Sequence, residues 1–397
     1  MASSYQSRPD QKASTAPLIH FASNNWNDAH DLDASDEDEA FYTADDDYLI
    51  HPKWQAMAIR TKNRIPRRIQ RYFFIYIVLL IVSYVAWRVY LGPQWEHNRE
   101  EVRKMDAELK EVYGQNVRHE FTDTIQLKTL DRELVPGAHE GNENRRLIFI
   151  GDVHGCREEL EDLLKRVDFQ ESDDHLIFTG DMIAKGPDSP GVISLAQKYS
   201  ASCVRGNHED RVILSITEMD AHHVPLPGPE EDPSKMNDFM DEESFSHGDF
   251  KVRKLAKQLS KEQIQYLKEC PLILKVGNVE GTGEMATVHG GLIPGIPLEE
   301  QDPFQCMNMR SIDLDTHIPK EDHSATPWEK FWNHRQKKLD PAERLTVVYG
   351  HDSKRGKNIK KYSKGLDTGC VNGGKLTALV VESGKESVIS VSCKNYK

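Results

Sequence analysis

Five short segments join an Asp, Asn or His to glycine, in one order along the chain. They are Gly151-Asp-Val-His-Gly155, Gly180-Asp181, Arg205-Gly-Asn-His-Glu209, His289-Gly-Gly291 and Gly350-His-Asp352. Three follow directly on apolar runs: Leu147-Ile-Phe-Ile150, Leu176-Ile-Phe-Thr179 and Leu345-Thr-Val-Val-Tyr349. A short β-rich run that ends in glycine reads as a buried strand turning sharply at its carboxyl end. Several such strands bring their terminal side chains to one sheet edge, where α/β folds set their sites. Helical stretches at 157–167, 190–199 and 251–269 alternate with these strands, which predicts an α/β layered core. No internal repeat is present.

The 397 residues carry a net charge of −13, which argues against nucleic acid as a main partner. The charge is unevenly placed. Residues 1–50 are polar and crowded with Asp and Glu, so they cannot bury enough apolar surface to offset their ordering entropy. The reading for 1–71 is therefore a disordered cytosolic tail, a candidate contact for sorting machinery, ending in a basic juxtamembrane segment. Residues 72–91, YFFIYIVLLIVSYVAWRVYL, are long enough as a helix to span about 30 Å of hydrocarbon. Tyr72, Tyr84, Trp87 and Tyr90 suit the interfaces, and Arg88 can snorkel. The run is long and starts deep in the chain, which fits a signal-anchor rather than a cleaved signal peptide. Arg60, Lys62, Arg64, Arg67, Arg68 and Arg71 precede it, whereas only Arg99, Arg103 and Lys104 follow closely. The positive-inside rule then predicts a single-pass protein with a cytosolic amino terminus and a lumenal remainder.

Residues 92–144 read as stem and lead-in, with a charged helix over 94–114. Residues 145–393 form the folded domain. Within it, 218–249 combines four prolines with an acidic run and predicts a surface loop or lid. The six cysteines show no C-x-x-C spacing, so no thiolate zinc site is signalled. Cys156 and Cys203 are expected as small core residues, and disulfides cannot be paired from sequence. No Asn-x-Ser/Thr sequon occurs.

Cleaving a phosphate ester or anhydride needs a strong nucleophile at neutral pH and neutralisation of the phosphoryl oxygens. Two divalent ions about 3.5–4 Å apart supply both. Asp152 and His154, at i and i+2 on a tight turn, can reach one ion. Asp181 is the natural bridge, and Asn207, His289 and His351 remain for the second. Glu209 and Arg205 can brace the turn that holds Asn207 and His208. Spacing alone does not separate a ligand role from another role for His208.

This motif set resembles the calcineurin-like metallophosphoesterase superfamily, in its phosphoprotein-phosphatase branch, over about 145–385. The resemblance implies a four-layer sandwich of two packed mixed β-sheets flanked by helices. It implies that Asp152, His154 and Asp181 hold one metal and that Asp181, Asn207, His289 and His351 hold the other. It also makes His208 the proton donor to the leaving oxygen. Protein phosphatases of the branch carry Asp-Arg-Gly after the second motif, and here Ala184 and Lys185 stand instead, so the partner that orients the catalytic His is missing. Ala184 and the tail Gly365-Leu-Asp-Thr-Gly-Cys-Val-Asn-Gly-Gly374 resemble diadenosine tetraphosphate hydrolases. With the anchor added, the chain is similar to the zinc-dependent endopolyphosphatases of fungal vacuoles. The resemblance thus implies zinc, with manganese or cobalt as alternatives, inorganic polyphosphate as substrate and a vacuolar location. Dinucleoside tetraphosphates, phosphoproteins and an inactive scaffold are the alternatives. Lys185, Arg205, Arg310, Lys354 and Arg355 are the candidate substrate contacts. The last two open a basic run with Lys357, Lys360, Lys361 and Lys364, which reads either as a polyanion track or as a solvated loop.

Overall fold

The computed structural model describes residues 53, 54, 56, 57, 66–106, 124–138, 145–222 and 247–396. The acidic tail and most of the 218–249 insert lie outside them. The chain divides into two units, Met1–Gly92 and Pro93–Lys397.

In the first unit, helix α1 (Arg67–Ala86) starts after Pro66, whose fixed φ suits a helix entry. A single π-turn, Trp87–Leu91, follows. Helix α2 (Gly92–Asp106), whose residues from Pro93 belong to the second unit, follows, giving 40 helical residues in all. Arg67–Asp106 is the one helix among the described residues long and apolar enough to cross a membrane, and none of its apolar window is buried.

The second unit carries three sheets. One has six strands in the order β1 (Leu127–Thr129), β5 (Ile273–Val279), β6 (Gly283–Val288), β10 (Leu345–Tyr349), β12 (Ser363–Gly365) and β11 (Asn358–Ile359). Another has five, in the order β14 (Lys385–Ser392), β13 (Lys375–Glu382), β2 (Arg146–Ile150), β3 (Asp174–Phe178) and β4 (Ser202–Cys203). Both are mixed: β2, β3 and β4 run parallel, as do β6, β10 and β12, while β13 is antiparallel to β2 and β5 to β6. A small sheet of β7 (Ser311–Ile312), β8 (Pro319–Lys320) and β9 (Thr326–Pro327) completes the set.

Alternation along the strands builds the layers. Leu147 and Phe149 of β2, Leu379 and Val381 of β13, and Leu274, Val276, Met285 and Val348 of the other sheet form one buried cluster between the two sheets. The intervening Ile148, Ile150, Ala378 and Val380 pack outward. They meet α3 (Arg157–Arg166), α4 (Ser189–Lys198), α5 (Asn207–His222), α6 (His247–Gln258) and α7 (Lys261–Glu269). On the far side, Val288, Val347 and Tyr349 pack on α8 (Pro303–Asn308) and α9 (Trp328–Lys338). The result is the expected α/β sandwich of two sheets between helices. Helix α3 shows how a helix joins it. Leu160, Leu163 and Leu164 recur at i, i+3 and i+4 and are buried, each contributing about 1.5–3 kcal/mol.

Three features differ from the sequence reading. Strand β1 draws residues ahead of 145 into the sheet by pairing with β5. Helix α5 runs through His222 and α6 starts at His247, so the insert's ends are helical. No proline interrupts the chain until Pro225, beyond the end of α5. Cys203 is buried as expected, yet it is joined to Cys270, and Cys370 is joined to Cys393. Cys156 and Cys306 are buried free thiols.

Candidate metal centre

Strands β2 and β3 pair parallel and in phase, ending at Ile150 and Phe178. Their next residues therefore turn off the same edge, carrying Asp152 and Asp181. In the second sheet, β6 and β10 are likewise parallel, and Gly350 N donates to His289 O at 3.0 Å. That bond brings His289 and His351 together. Asn207 and His208 open α5 beside them. His154, Asp181 and His351 all have positive φ, at 48°, 49° and 68°. Non-glycine residues keep this strained backbone where the surrounding structure over-determines it.

Two groups of donor atoms result, each within 4.8 Å: His154, Asp181 and His208 in one, Asp181, His289 and His351 in the other. Asp181 is common to both. His289 Nε2 lies 3.3 Å from Asp181 Oδ1, and His154 Nε2 lies 3.5 Å from Oδ2.

The outer shell sets the tautomers. His154 Nδ1 donates to Ile183 O at 3.1 Å and His289 Nδ1 to Thr179 O at 2.8 Å. His351 uses the other nitrogen, Nε2, to donate to Asn308 O at 3.0 Å. One lone pair of each imidazole is thereby left facing the cleft, as metal-binding histidines require. Asn207 Oδ1 faces His289 Nε2 at 3.2 Å. With His289 neutral these are two acceptors pointed at one another, a conflict that a cation between them resolves. Turning the amide would instead let its nitrogen donate to Asp181 Oδ2 at 3.2 Å. The first orientation is the one that suits a metal ligand.

Charge points the same way. Burial, then the charges of Asp367 and Asp181, push the Asp152 carboxyl well above its usual range. Burial also raises Asp367. Burial opposes ionisation of Asp181 too, but His289, His154 and His208 outweigh it and hold its pKa well down. Three carboxyls converging in a buried site call for cations. The donor set thus fits divalent metal.

Residues 145–375 match the model of the calcineurin-like phosphoesterase family. The chain belongs to the calcineurin-like phosphoesterases. It is a metal-dependent hydrolase. This phosphoesterase is 29% identical over 264 residues to the zinc-dependent endopolyphosphatase of Saccharomyces cerevisiae, covering 62% of this chain and 78% of that one. It is 24% identical over 304 residues to the symmetrical bis(5'-nucleosyl)-tetraphosphatase of Coxiella burnetii, covering 63% and 93%. A solved metallophosphoesterase from Sphaerobacter thermophilus is 16% identical and covers 63% of this chain and 89% of its own, with a TM-score of 0.37.

The other expected residues of the phosphoesterase fall in different places. Lys185 and Arg310 line the cleft, with Asn207, His208, Ser353 and Asn372. Lys185 Nζ lies 2.9 Å from His154 Nε2. Arg310 donates to His351 O at 3.2 Å and Glu321 O at 2.9 Å. Lys354 lines an adjoining recess that also includes Arg310 and His351. Arg205 does not line the cleft. It is 2% exposed and donates to Thr124 Oγ1 at 3.1 Å and Lys268 O at 3.2 Å, so it braces the fold. Arg355 is turned inward as well, donating to Asp352 Oδ2 at 2.7 Å and to Arg310 O at 2.7 Å. Glu209 accepts from the backbone N of Asp181, Ile183 and Gly206. It therefore braces the second and third motifs together. The His208 ring makes no hydrogen bond among the described residues, and Asp181 Oδ2 lies 4.0 Å from its Nε2. Among the described residues no second acceptor replaces the one that Ala184 removes.

Asp367 is the site residue the motif reading missed. It is buried, lines the cleft and shares a hydrogen bond with Asp152. Its signal was present in the glycine-rich tail, but no histidine or Asn stands beside it to mark a ligand.

Proposed function

We propose that this phosphoesterase hydrolyses the phosphoanhydride bonds of inorganic polyphosphate. The observation that carries the reading is the cleft wall. Lys185, Arg310, Ser353 and Asn372 surround the metal-ligating groups. Among the described lining residues there is no Phe, Tyr or Trp on which a nucleobase could stack. The Saccharomyces cerevisiae relative, a zinc-dependent endopolyphosphatase, supports the same substrate. The Coxiella burnetii relative favours a second reading, dinucleoside tetraphosphate hydrolysis. A phosphoprotein substrate is disfavoured, because Lys185 offers a point charge where protein phosphatases use an Arg fork.

Asp152, His154 and Asp181 would hold one divalent ion, and Asp181, Asn207, His289 and His351 a second, with zinc the first choice and manganese or cobalt alternatives. Bound ions of this kind lower the pKa of water and neutralise phosphoryl charge. The chain's own residues do the rest. Asp181 fixes both ligand groups from one carboxylate. His208 delivers a proton to the leaving oxygen. Lys185 and Arg310 orient the phosphoryl oxygens, and Lys354 meets the next phosphate.

The same reading places the domain in a lumen, in a vacuole-type compartment, behind the apolar helix at 72–91. Two disulfides support an oxidising side of the membrane, since cytosolic thiols stay reduced. The test is a substrate panel with the full chain in detergent: long polyphosphate, a dinucleoside tetraphosphate and a phosphopeptide, each with zinc, manganese or cobalt. Polyphosphate should give the highest kcat/KM. Faster cleavage of the dinucleotide or the peptide would replace the proposal.

A further inference from the structure

The residues after β14 bind both segments that flank Asp152. One is the loop 366–374, whose Asp367, Gly369, Val371 and Asn372 line the cleft. Cys393 is joined to Cys370 in that loop, and Cys393 N donates to Gly374 O at 3.0 Å. Tyr396 N donates to Val371 O at 3.1 Å, and Asn395 bridges Asn372. The other segment is the first motif with helix α3. Tyr396 Oη donates to Glu159 Oε1 at 2.9 Å, and Lys394 N donates to the same oxygen at 3.1 Å. Lys394 Nζ lies 2.6 Å from Glu158 Oε2. Glu159 is a 4% exposed carboxylate three residues into α3, directly after the turn that carries Asp152 and His154.

A buried acid, a disulfide and a short bridge together hold residues 393–396 at several points. They tie two pieces of backbone whose carboxyls, Asp152 and Asp367, touch across the cleft. We propose that Cys393–Tyr396 is a positioning clamp, which sets Asp152 for metal by fixing the loop of Asp367 against α3. Cys370, Cys393 and Tyr396 are then positioning residues of the reaction, although none reaches the reacting atoms. The inference rests on the reading of Asp152 as a metal ligand.

The experiment uses the full chain in detergent and compares wild type with Cys370→Ser/Cys393→Ser, Tyr396→Phe and Asp152→Ala. Zinc bound at equilibrium dialysis, turnover of a small chromogenic phosphomonoester and thermal unfolding are measured on each. The serine pair should unfold cooperatively at a lower Tm and bind zinc about tenfold more weakly, the size of effect seen when a ligand loses its outer support. Tyr396→Phe keeps the covalent link and should weaken zinc by roughly fivefold, as one lost hydrogen bond does. Wild-type zinc affinity and turnover in the serine pair, with only Tm lowered, would make the disulfide a staple and overturn the clamp. If the serine pair does not fold, Tyr396→Phe decides alone, and unchanged zinc binding there overturns the clamp. Asp152→Ala separates two failures. If it binds zinc as wild type does, the ligand assignment is wrong and the clamp falls with it. If it loses zinc while the other variants do not, the clamp alone is wrong.

Discussion

At the scale of single residues, the site is governed by how close groups can come. A Cβ at Gly350 would stand 2.1 Å from Asp152 Oδ1, and one at Gly206 would stand 2.4 Å from Asp181 Oδ1. Gly206 and Gly350 are therefore clearance for carboxylates. Gly350→Ala should fold but push Asp152 aside, lowering metal content and turnover together; full zinc loading in this variant would refute the packing argument. Asp181→Asn should abolish activity and weaken every bound ion, because one carboxylate serves both donor groups. Metal analysis with unchanged stoichiometry would count against it. His208→Asn should keep the metals and slow turnover by roughly 10²–10⁴-fold, the span of a general acid. Loss of metal instead would mean that His208 is a ligand with His154 and Asp181, a grouping the geometry also permits. The proposed ligands were legible in sequence because each stands beside a glycine. Asp367 was not, because its importance comes from touching Asp152, which is 215 residues away in sequence but in hydrogen-bond contact in space.

At the scale of elements, the basic run after β10 shows what periodicity and charge cannot tell. Lys354, Lys357 and Lys361 are exposed. Lys360 lies 3.1 Å from Glu329 Oε1, Arg355 lies 3.7 Å from Glu329 Oε2, and Lys364 pairs with Glu386. Glu329 is 2% exposed, so Lys360 and Arg355 answer a buried charge on α9 rather than solvent. Sequence showed the charges but not their partners, which come from helices and strands far along the chain. Neutralising Lys354, Lys357 and Lys361 should raise KM for long polyphosphate more than for a short phosphate compound and flatten its salt dependence. Equal effects on both lengths would return the run to a plain surface loop. Neutralising Arg355 and Lys360 should instead lower stability. Strand β3 carries a separate pH response. His175 is 4% exposed, with Nε2 at 2.9 Å from Ser202 Oγ. Burial, then the charge of Arg145, lower its pKa to about 4. Its unfolded value is near 6.5, so between these values the unfolded chain binds the extra proton. Stability then falls as pH drops from about 6.5 to 4, by roughly 3 kcal/mol in the limit. His175→Gln should flatten this part of the profile in denaturant titrations; an unchanged slope would place the response elsewhere.

At the scale of the whole molecule, the chain couples an apolar helix to a hydrolase through one charged segment. Within the second unit, the end of that segment is bound to α9 and to Asp315. Met105 is 2% exposed, Lys104 lies 2.7 Å from Asp315, and Glu101 and Asp106 pair with Lys330 and with His334 and Lys338. The sequence could give this stretch as a charged helical stem, but not the partners of its charges, which lie more than two hundred residues on. The orientation proposed from Arg60, Lys62, Arg64, Arg67, Arg68 and Arg71 puts residues 1–60 in the cytosol and the hydrolase in the lumen. Protease added to sealed vesicles should therefore remove an epitope placed in residues 1–60 and spare the domain after 120 until detergent is added. Under the same conditions the disulfides Cys203–Cys270 and Cys370–Cys393 should resist a membrane-impermeant reductant and open once the vesicles are breached. Digestion of the domain in sealed vesicles, with the amino-terminal epitope protected, would reverse the topology. It would also place two disulfides in a reducing compartment, which their physical chemistry does not favour.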